Sequence, residues 1–116
     1  MVRKSGDMPV KYNENMRGGK GVVEVTAMLK AEEMYDKGRL YSILRLKPGS
    51  SIGYHVHENE MESFFVTEGG GEYNDDGAFI RLSAGDVTLT ASGQGHSVIN
   101  DTDADLALLA LILHKN

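Results

Sequence analysis

Hydrophobic and polar residues alternate along much of this chain with a period of two. In "GVVEVTAML", Val23, Val25, Ala27 and Leu29 fall on one side and Glu24, Thr26 and Met28 on the other. In "LYSILRL", Leu40, Leu44 and Leu46 share a face with the small Ser42, opposite Tyr41, Ile43 and Arg45. "DVTLTA" alternates Val87, Leu89 and Ala91 with Thr88 and Thr90. Successive side chains of a strand point to opposite faces, so this pattern predicts short, half-buried strands. Glycine-bearing pieces such as "RGGKG", "KPG", "EGGGE", "DDG", "AGD" and "SGQG" separate them, as turns do. The helical period is nearly absent. Only "KAEEMYDKG" (30–38), with good helix formers and a glycine stop, predicts one helical turn.

The pattern therefore predicts an all-β fold, a barrel or sandwich. A chain of 116 residues is expected to form one domain. Residues 1–20 are polar and glycine-bearing and read as an N-terminal arm, with residues 21–116 as a single β-barrel domain. One strand breaks the rule. "DLALLALIL" is apolar on both faces, Leu106, Leu108, Ala110 and Ile112 on one and Ala107, Leu109, Leu111 and Leu113 on the other. A small barrel buries only one face of a strand. The second face calls for a cover, either a partner subunit in a homodimer or the N-terminal segment folded over it.

Composition narrows the function classes. The net charge is −5, which gives no basic footprint for nucleic acid. There is no cysteine, so any metal must be held by nitrogen and oxygen. The most apolar run, Leu106 to Leu113, is far too short to span a membrane, and no apolar run follows the basic N-terminus as a signal peptide would need. A water-soluble, cytoplasmic protein is the expectation, with no nucleic-acid or membrane partner.

The candidate chemistry sits in "HVHENEME", which holds two of the four histidines, His55 and His57. On a strand, period two sends both imidazoles to one face, about 6–7 Å apart at Cα. If the chain turns after Glu58 and Asn59 and returns as "ESFFV", Glu62 begins the returning strand and meets them. His96, after "SGQG", is available as a fourth ligand. Three imidazoles and a carboxylate suit one divalent first-row ion, and four ligands on a six-coordinate ion leave two positions for a ligand. H-x-H alone occurs by chance, and a glutamate-rich loop is usually solvated. Glu58 and Glu60 are read as solvated, or as weak candidates for general base. His114 reads as a surface residue. Tyr54 and Tyr73 read as packing residues or pocket residues, and Phe64 and Phe65 point to opposite faces. "RGGKG" lacks the phosphate-loop pattern and leads into a strand. Arg17 and Lys20 within it are candidates to neutralise an anionic substrate at a barrel mouth.

The spacing of the whole resembles the cupins. "GSSIGYHVHENEMESFFVTEG" matches their first motif, G-x5-H-x-H-x4-E-x6-G, at every fixed position. "GDVTLTASGQGHSVIN" matches the second, G-x5-P-x-G-x2-H-x3-N, with Ala91 in the place of the proline. "NMRGGKG", "GRL" and "PGSSIGYHVHE" also look like short single-domain bacterial cupins of the oxalate-decarboxylase-like group. The resemblance implies a double-stranded β-helix, or jelly roll, with a divalent transition metal (Mn, Fe, Co, Ni, Cu or Zn) held by His55, His57, Glu62 and His96. The Ala91 departure touches a turn and not a ligand, and bears on local rigidity. The resemblance implies a metal-dependent enzyme acting on a small, oxygen-rich, carboxylate-type molecule. A non-catalytic metal-dependent binding or sensing module is the alternative. In oxalate-degrading cupins an arginine precedes the first metal histidine by three residues. Here that position is Ile52, so Arg17, Arg45 or Lys20 would have to supply the charge.

Overall fold

A computed structural model describes residues 1–116. Nine strands form two antiparallel sheets: β1 (Val10–Glu14), β2 (Val22–Ala27), β3 (Gly38–Leu46), β4 (Ser51–Val56), β5 (Glu60–Glu68), β6 (Gly70–Asp75), β7 (Ala78–Ser83), β8 (Gly95–Ile99) and β9 (Leu106–His114). One sheet has the order β1-β2-β3-β9-β5 and the other β4-β8-β6-β7. Side chains from both sheets meet in one core that includes Val23, Leu44, Leu46, Phe64, Val66, Tyr73, Val98, Leu106 and Leu108. This is an all-β arrangement, as the alternation predicts, and the jelly roll that the resemblance implies. The helical turn expected within 30–38 is a short 3-10 turn, Ala31–Met34, closed by Tyr35 and Asp36 at positive φ. No helix is long and apolar enough to cross a membrane.

The turn chemistry is local. Asp76 and Gly77 take φ of 49° and 102°, the pair of positive values that a two-residue type I′ hairpin requires, and they join β6 to β7. "DVTLTA" behaves differently from its pattern. It makes only two bridges to β5, Phe65 with Val87 and Glu62 with Thr90, and its threonines face inward. Val87 and Leu89 are left exposed.

The N-terminal residues do not fold over β9. Residues 10–14 pair along β2 at the edge of the five-stranded sheet. The outer face of β9 keeps Leu109, Leu111 and Leu113 half-buried.

Register decides which side chains reach the interior. Ile52 pairs with Val98 and His55 with His96, so β4 spends three steps where β8 spends two. Ile52 and His55 are three residues apart and could not share a face of a regular strand. The bulge at Gly53 and Tyr54 inserts the extra residue and turns both inward. Ile52 is accordingly buried in the core and Tyr54 is exposed.

Candidate metal centre

His55 lies on β4, His57 one residue past its end, Glu62 on β5 and His96 on β8. The structure brings these four together, with one ligand atom from each lying within 4.8 Å of the others. His57, Glu62 and His96 are buried, and His55 is half-buried. His57 Nε2 lies 3.1 Å from His96 Nε2, and His96 Nε2 lies 3.2 Å from His55 Nε2. Glu62 Oε1 is 3.0 Å from His57 Nε2, 2.9 Å from His96 Nε2 and 4.0 Å from His55 Nε2.

The other nitrogen of each ring is separately engaged. His55 Nδ1 donates to the Gly53 carbonyl at 2.8 Å. His57 Nδ1 donates to Glu60 Oε2 at 2.6 Å. A carbonyl and an ionised carboxylate only accept, so both protons belong on Nδ1 and both Nε2 atoms present lone pairs. His96 Nδ1 meets the hydroxyls of Tyr73 at 2.7 Å and Thr90 at 2.9 Å. Lone pairs and a carboxylate oxygen converging at about 3 Å repel one another unless a positive centre sits among them. Adjacent donors on a six-coordinate ion at about 2.1 Å would stand about 3.0 Å apart, and opposite ones about 4.2 Å. Four separations of 2.9 to 3.2 Å are close to the adjacent value and the 4.0 Å between His55 and Glu62 is close to the opposite one, with all four donors within 4.8 Å of one another. The residues present therefore fit a divalent cation.

The electrostatics couple the same residues. Glu62's burial works to raise its pKa, yet the bonds to His57 and His96 outweigh it and the net shift is downward. The Glu62 bond raises His57, against the effect of burial and with help from Glu60. Burial pushes His55 down, opposed by the Gly53 bond, and the charges of His96, His57 and Arg17 push it the same way as burial.

Glu60 is not the solvated loop residue expected from sequence. It begins β5, and the returning strand thus starts two residues before Glu62. Its carboxylate takes a two-pronged contact from Arg39, at 2.8 and 2.7 Å, while also accepting from His57. The Arg39 guanidinium, with the His57 bond and against some burial, holds Glu60 at about 2. Sequence reasoning missed Arg39, because nothing local to "KGRL" links it to a residue twenty-one positions away. Tyr73 is buried against His96, whereas Tyr54 packs on Gly95 and stays half-exposed. His114 is exposed, and of the two phenylalanines Phe64 is core and Phe65 is outward.

The turn carrying Ala91 is rigid by other means. Ala91 N–H donates to Gln94 Oε1 at 3.0 Å, a bond that proline could not make. Gly93 N–H donates to the His57 carbonyl at 2.7 Å, and His57 N–H to the Gln94 carbonyl at 3.0 Å. These bonds tie the turn before His96 to the backbone of His57.

His55, His57 and Glu62 line a cavity of about 220 Å³, and His96 lies behind them. Its walls are mostly apolar, including Val25, Leu44, Ile52, Phe64 and Ile112, and its other polar groups are Asn13, Arg17 and Arg39. Lys20 does not line it. Its backbone pairs with Ser51 instead.

Known proteins share this chain's sequence and fold. The chain is 42% identical over 113 residues to an oxalate-binding protein of Thermotoga maritima, covering 97% of this chain and 93% of that one. It superposes with a TM-score of 0.95 and 42% identity on the crystal structure of a predicted oxalate decarboxylase from Thermotoga maritima, covering 98% and 99% of the two chains. The polyketide cyclase RemF of Streptomyces resistomycificus shares the fold at 14% identity, with a TM-score of 0.76 over 100% of this chain and 81% of that one. Residues 42–112, from β3 to β9, match the cupin domain model. That stretch contains all four converging residues, the bulge that turns His55 inward and the turn that delivers His96, and with it the chain belongs to the cupin family.

Proposed function

We propose that this protein binds one divalent transition metal ion through His55, His57, Glu62 and His96, and with it captures a small carboxylate-type anion. Bound there, such an ion supplies Lewis acidity toward carboxylate oxygens. The chain's own residues do the rest. Glu60 and the Gly53 carbonyl hold the protons of His57 and His55 on Nδ1. The apolar walls exclude water, and a volume of about 220 Å³ admits only a small molecule.

One observation carries the choice of binding over turnover. No unengaged proton-transfer group lines the cavity. Glu60, the nearest further carboxylate, is fully occupied by Arg39 and His57, and Glu58 does not reach the cavity. General acid–base chemistry needs a group within hydrogen-bond reach of the substrate. Ile52, buried at the position of the arginine found in oxalate-degrading cupins, adds no charge. The relative of known description at 42% identity is an oxalate-binding protein, and its name supports the same reading.

The test is elemental analysis of protein purified without chelator, then calorimetric titration of the Mn-loaded protein with oxalate and an assay for formate. About one ion per chain, with saturable oxalate binding and no formate, is expected. Protein that neither carries nor takes up a divalent metal would sink the reading. Formate release would instead establish the metal-dependent enzyme.

The partner we propose for the outer face of the five-stranded sheet is a second copy. Ile43, Leu109 and Phe65 stand side by side across β3, β9 and β5, and Val87 and Leu89 extend the patch, 70% and 60% exposed. Burying such a surface stabilises by roughly 25 cal/mol per Å². Sedimentation at tens of micromolar should give a dimer, and Phe65→Asp should give a monomer. A monomeric parent would count against the pairing.

A further inference from the structure

We propose that Arg17 reads the carboxylate oxygens of a small dianion that are not on the metal, and so makes the site prefer dianions to monoanions. The inference rests on the metal-and-carboxylate reading above and assigns the specificity within it.

The chain has five arginines, and four have carboxylate partners: Arg3 with Glu33, Arg39 with Glu60, Arg45 with Glu68 and Asp105, and Arg81 with Asp101. Arg17 has none, in a chain with seventeen acidic residues, and it lines the cavity. A guanidinium without a carboxylate, at the mouth of a cavity whose floor suits a cation, is placed for an external anion. Its planar fork matches carboxylate geometry.

The cavity offers few alternatives. A carboxylate against Val25, Leu44, Ile52, Phe64 or Ile112 would be desolvated without a partner, which is costly. The Arg39 guanidinium is already held at two points by Glu60. The Asn13 amide makes only a weak 3.9 Å contact with Met16 Sδ and can assist, but it carries no charge. A cavity of about 220 Å³ corresponds to roughly seven waters at about 30 Å³ each, so the anion is short.

Arg17 is also seated. It lies in the 3-10 turn Met16–Gly18 with φ 55° and ψ 31°, and Gly19 N–H closes the turn on the Met16 carbonyl at 2.9 Å. The turn packs directly on the β4 backbone. A β-carbon on Gly53 would overlap the Arg17 carbonyl oxygen, and one on Gly19 would overlap the Ser51 carbonyl oxygen. Glycine at both positions lets the two backbones touch. This segment lies outside residues 42–112, so the converging donors belong to the part that matches the family model and the mouth cation does not.

The test titrates Mn-loaded parent, Arg17→Gln and Arg17→Lys with oxalate and with acetate by calorimetry, alongside Mn content. Arg17→Gln should bind oxalate roughly tenfold or more weakly, as expected for losing one charge-assisted contact. Its Mn content and its affinity for acetate should match the parent. Arg17→Lys should recover part of the loss, because the charge stays and the fork goes. Added salt should weaken oxalate binding to the parent more than to Arg17→Gln. Unchanged oxalate affinity in Arg17→Gln overturns the proposal and leaves the metal reading standing. Equal loss of oxalate and acetate, or loss of Mn, assigns Arg17 a structural role and also overturns it. If the Mn-loaded parent binds neither anion, the carboxylate reading falls and takes this inference with it.

Discussion

The floor of the cavity and its mouth are built on opposite principles. On the floor, His55, His57 and His96 each have a second partner behind them: a carbonyl, a carboxylate and a pair of hydroxyls. The partners are themselves held, Glu60 by Arg39 and Tyr73 by Thr90. Buried polar groups must be satisfied, and a fully connected network is rigid. At the mouth, Arg17 is exposed, without a carboxylate, and on a backbone conformation that costs a non-glycine residue about 1–2 kcal/mol. A metal site needs donors fixed to a fraction of an ångström, whereas a site that reads an anion needs a charge left unpaired until the anion arrives. On the function proposed above, the contrast separates holding a cofactor from choosing a ligand.

The largest expected effect tests the floor. His57→Ala removes a central donor and should reduce bound metal to near zero by elemental analysis, and Glu62→Gln should weaken retention sharply. Metal retained at parental level in both would mean that the convergence does not hold the ion.

Glu60→Gln comes next and sharpens the boundary of the floor. Outer carboxylates on ligand histidines typically contribute about 10–100-fold to metal affinity. A loss of that size is expected in competition with a chelator, while Glu58→Gln should leave affinity unchanged. Equal behaviour of the two would return Glu60 to the solvated role the sequence suggested.

Gly19→Ala tests whether the mouth can be disturbed alone. The added methyl meets the Ser51 carbonyl oxygen, and relieving that contact should cost about 1–3 kcal/mol in thermal or urea unfolding. Metal content should be unchanged. Loss of metal would show that floor and mouth are one unit.

The smallest effect concerns the N-terminus. The Arg3 guanidinium, with the Lys30 backbone N–H, holds Glu33 at about 2, below its ordinary 4.5. A depressed carboxylate contributes above its unfolded value and loses that contribution as pH falls through the folded one. The tether of Arg3 to Glu33 should thus be intact above about pH 4.5 and release as pH falls toward 2. Hydrogen exchange of residues 1–9 checks this. Release at pH 6 would mean that the pair is not formed in solution.

Much of this was legible in the chain itself. Period-two alternation and glycine punctuation, "DDG" among it, predict the strands and their turns because the geometry of both is local. The four converging residues follow from motif spacing, since the match sets His55, His57, Glu62 and His96 at family positions. Three features depend on contacts between distant residues. The bulge that reconciles Ile52 with His55 exists only in the register of β4 against β8. The Arg39–Glu60–His57 chain joins β3, β5 and the end of β4. The seat of Arg17 depends on two glycines thirty-four residues apart, Gly19 and Gly53, whose missing side chains let two backbones meet. Alternation and turns are encoded by neighbours in sequence. Register, hydrogen bonds behind a side chain and backbone contact are set by neighbours in space, and only the folded chain decides them.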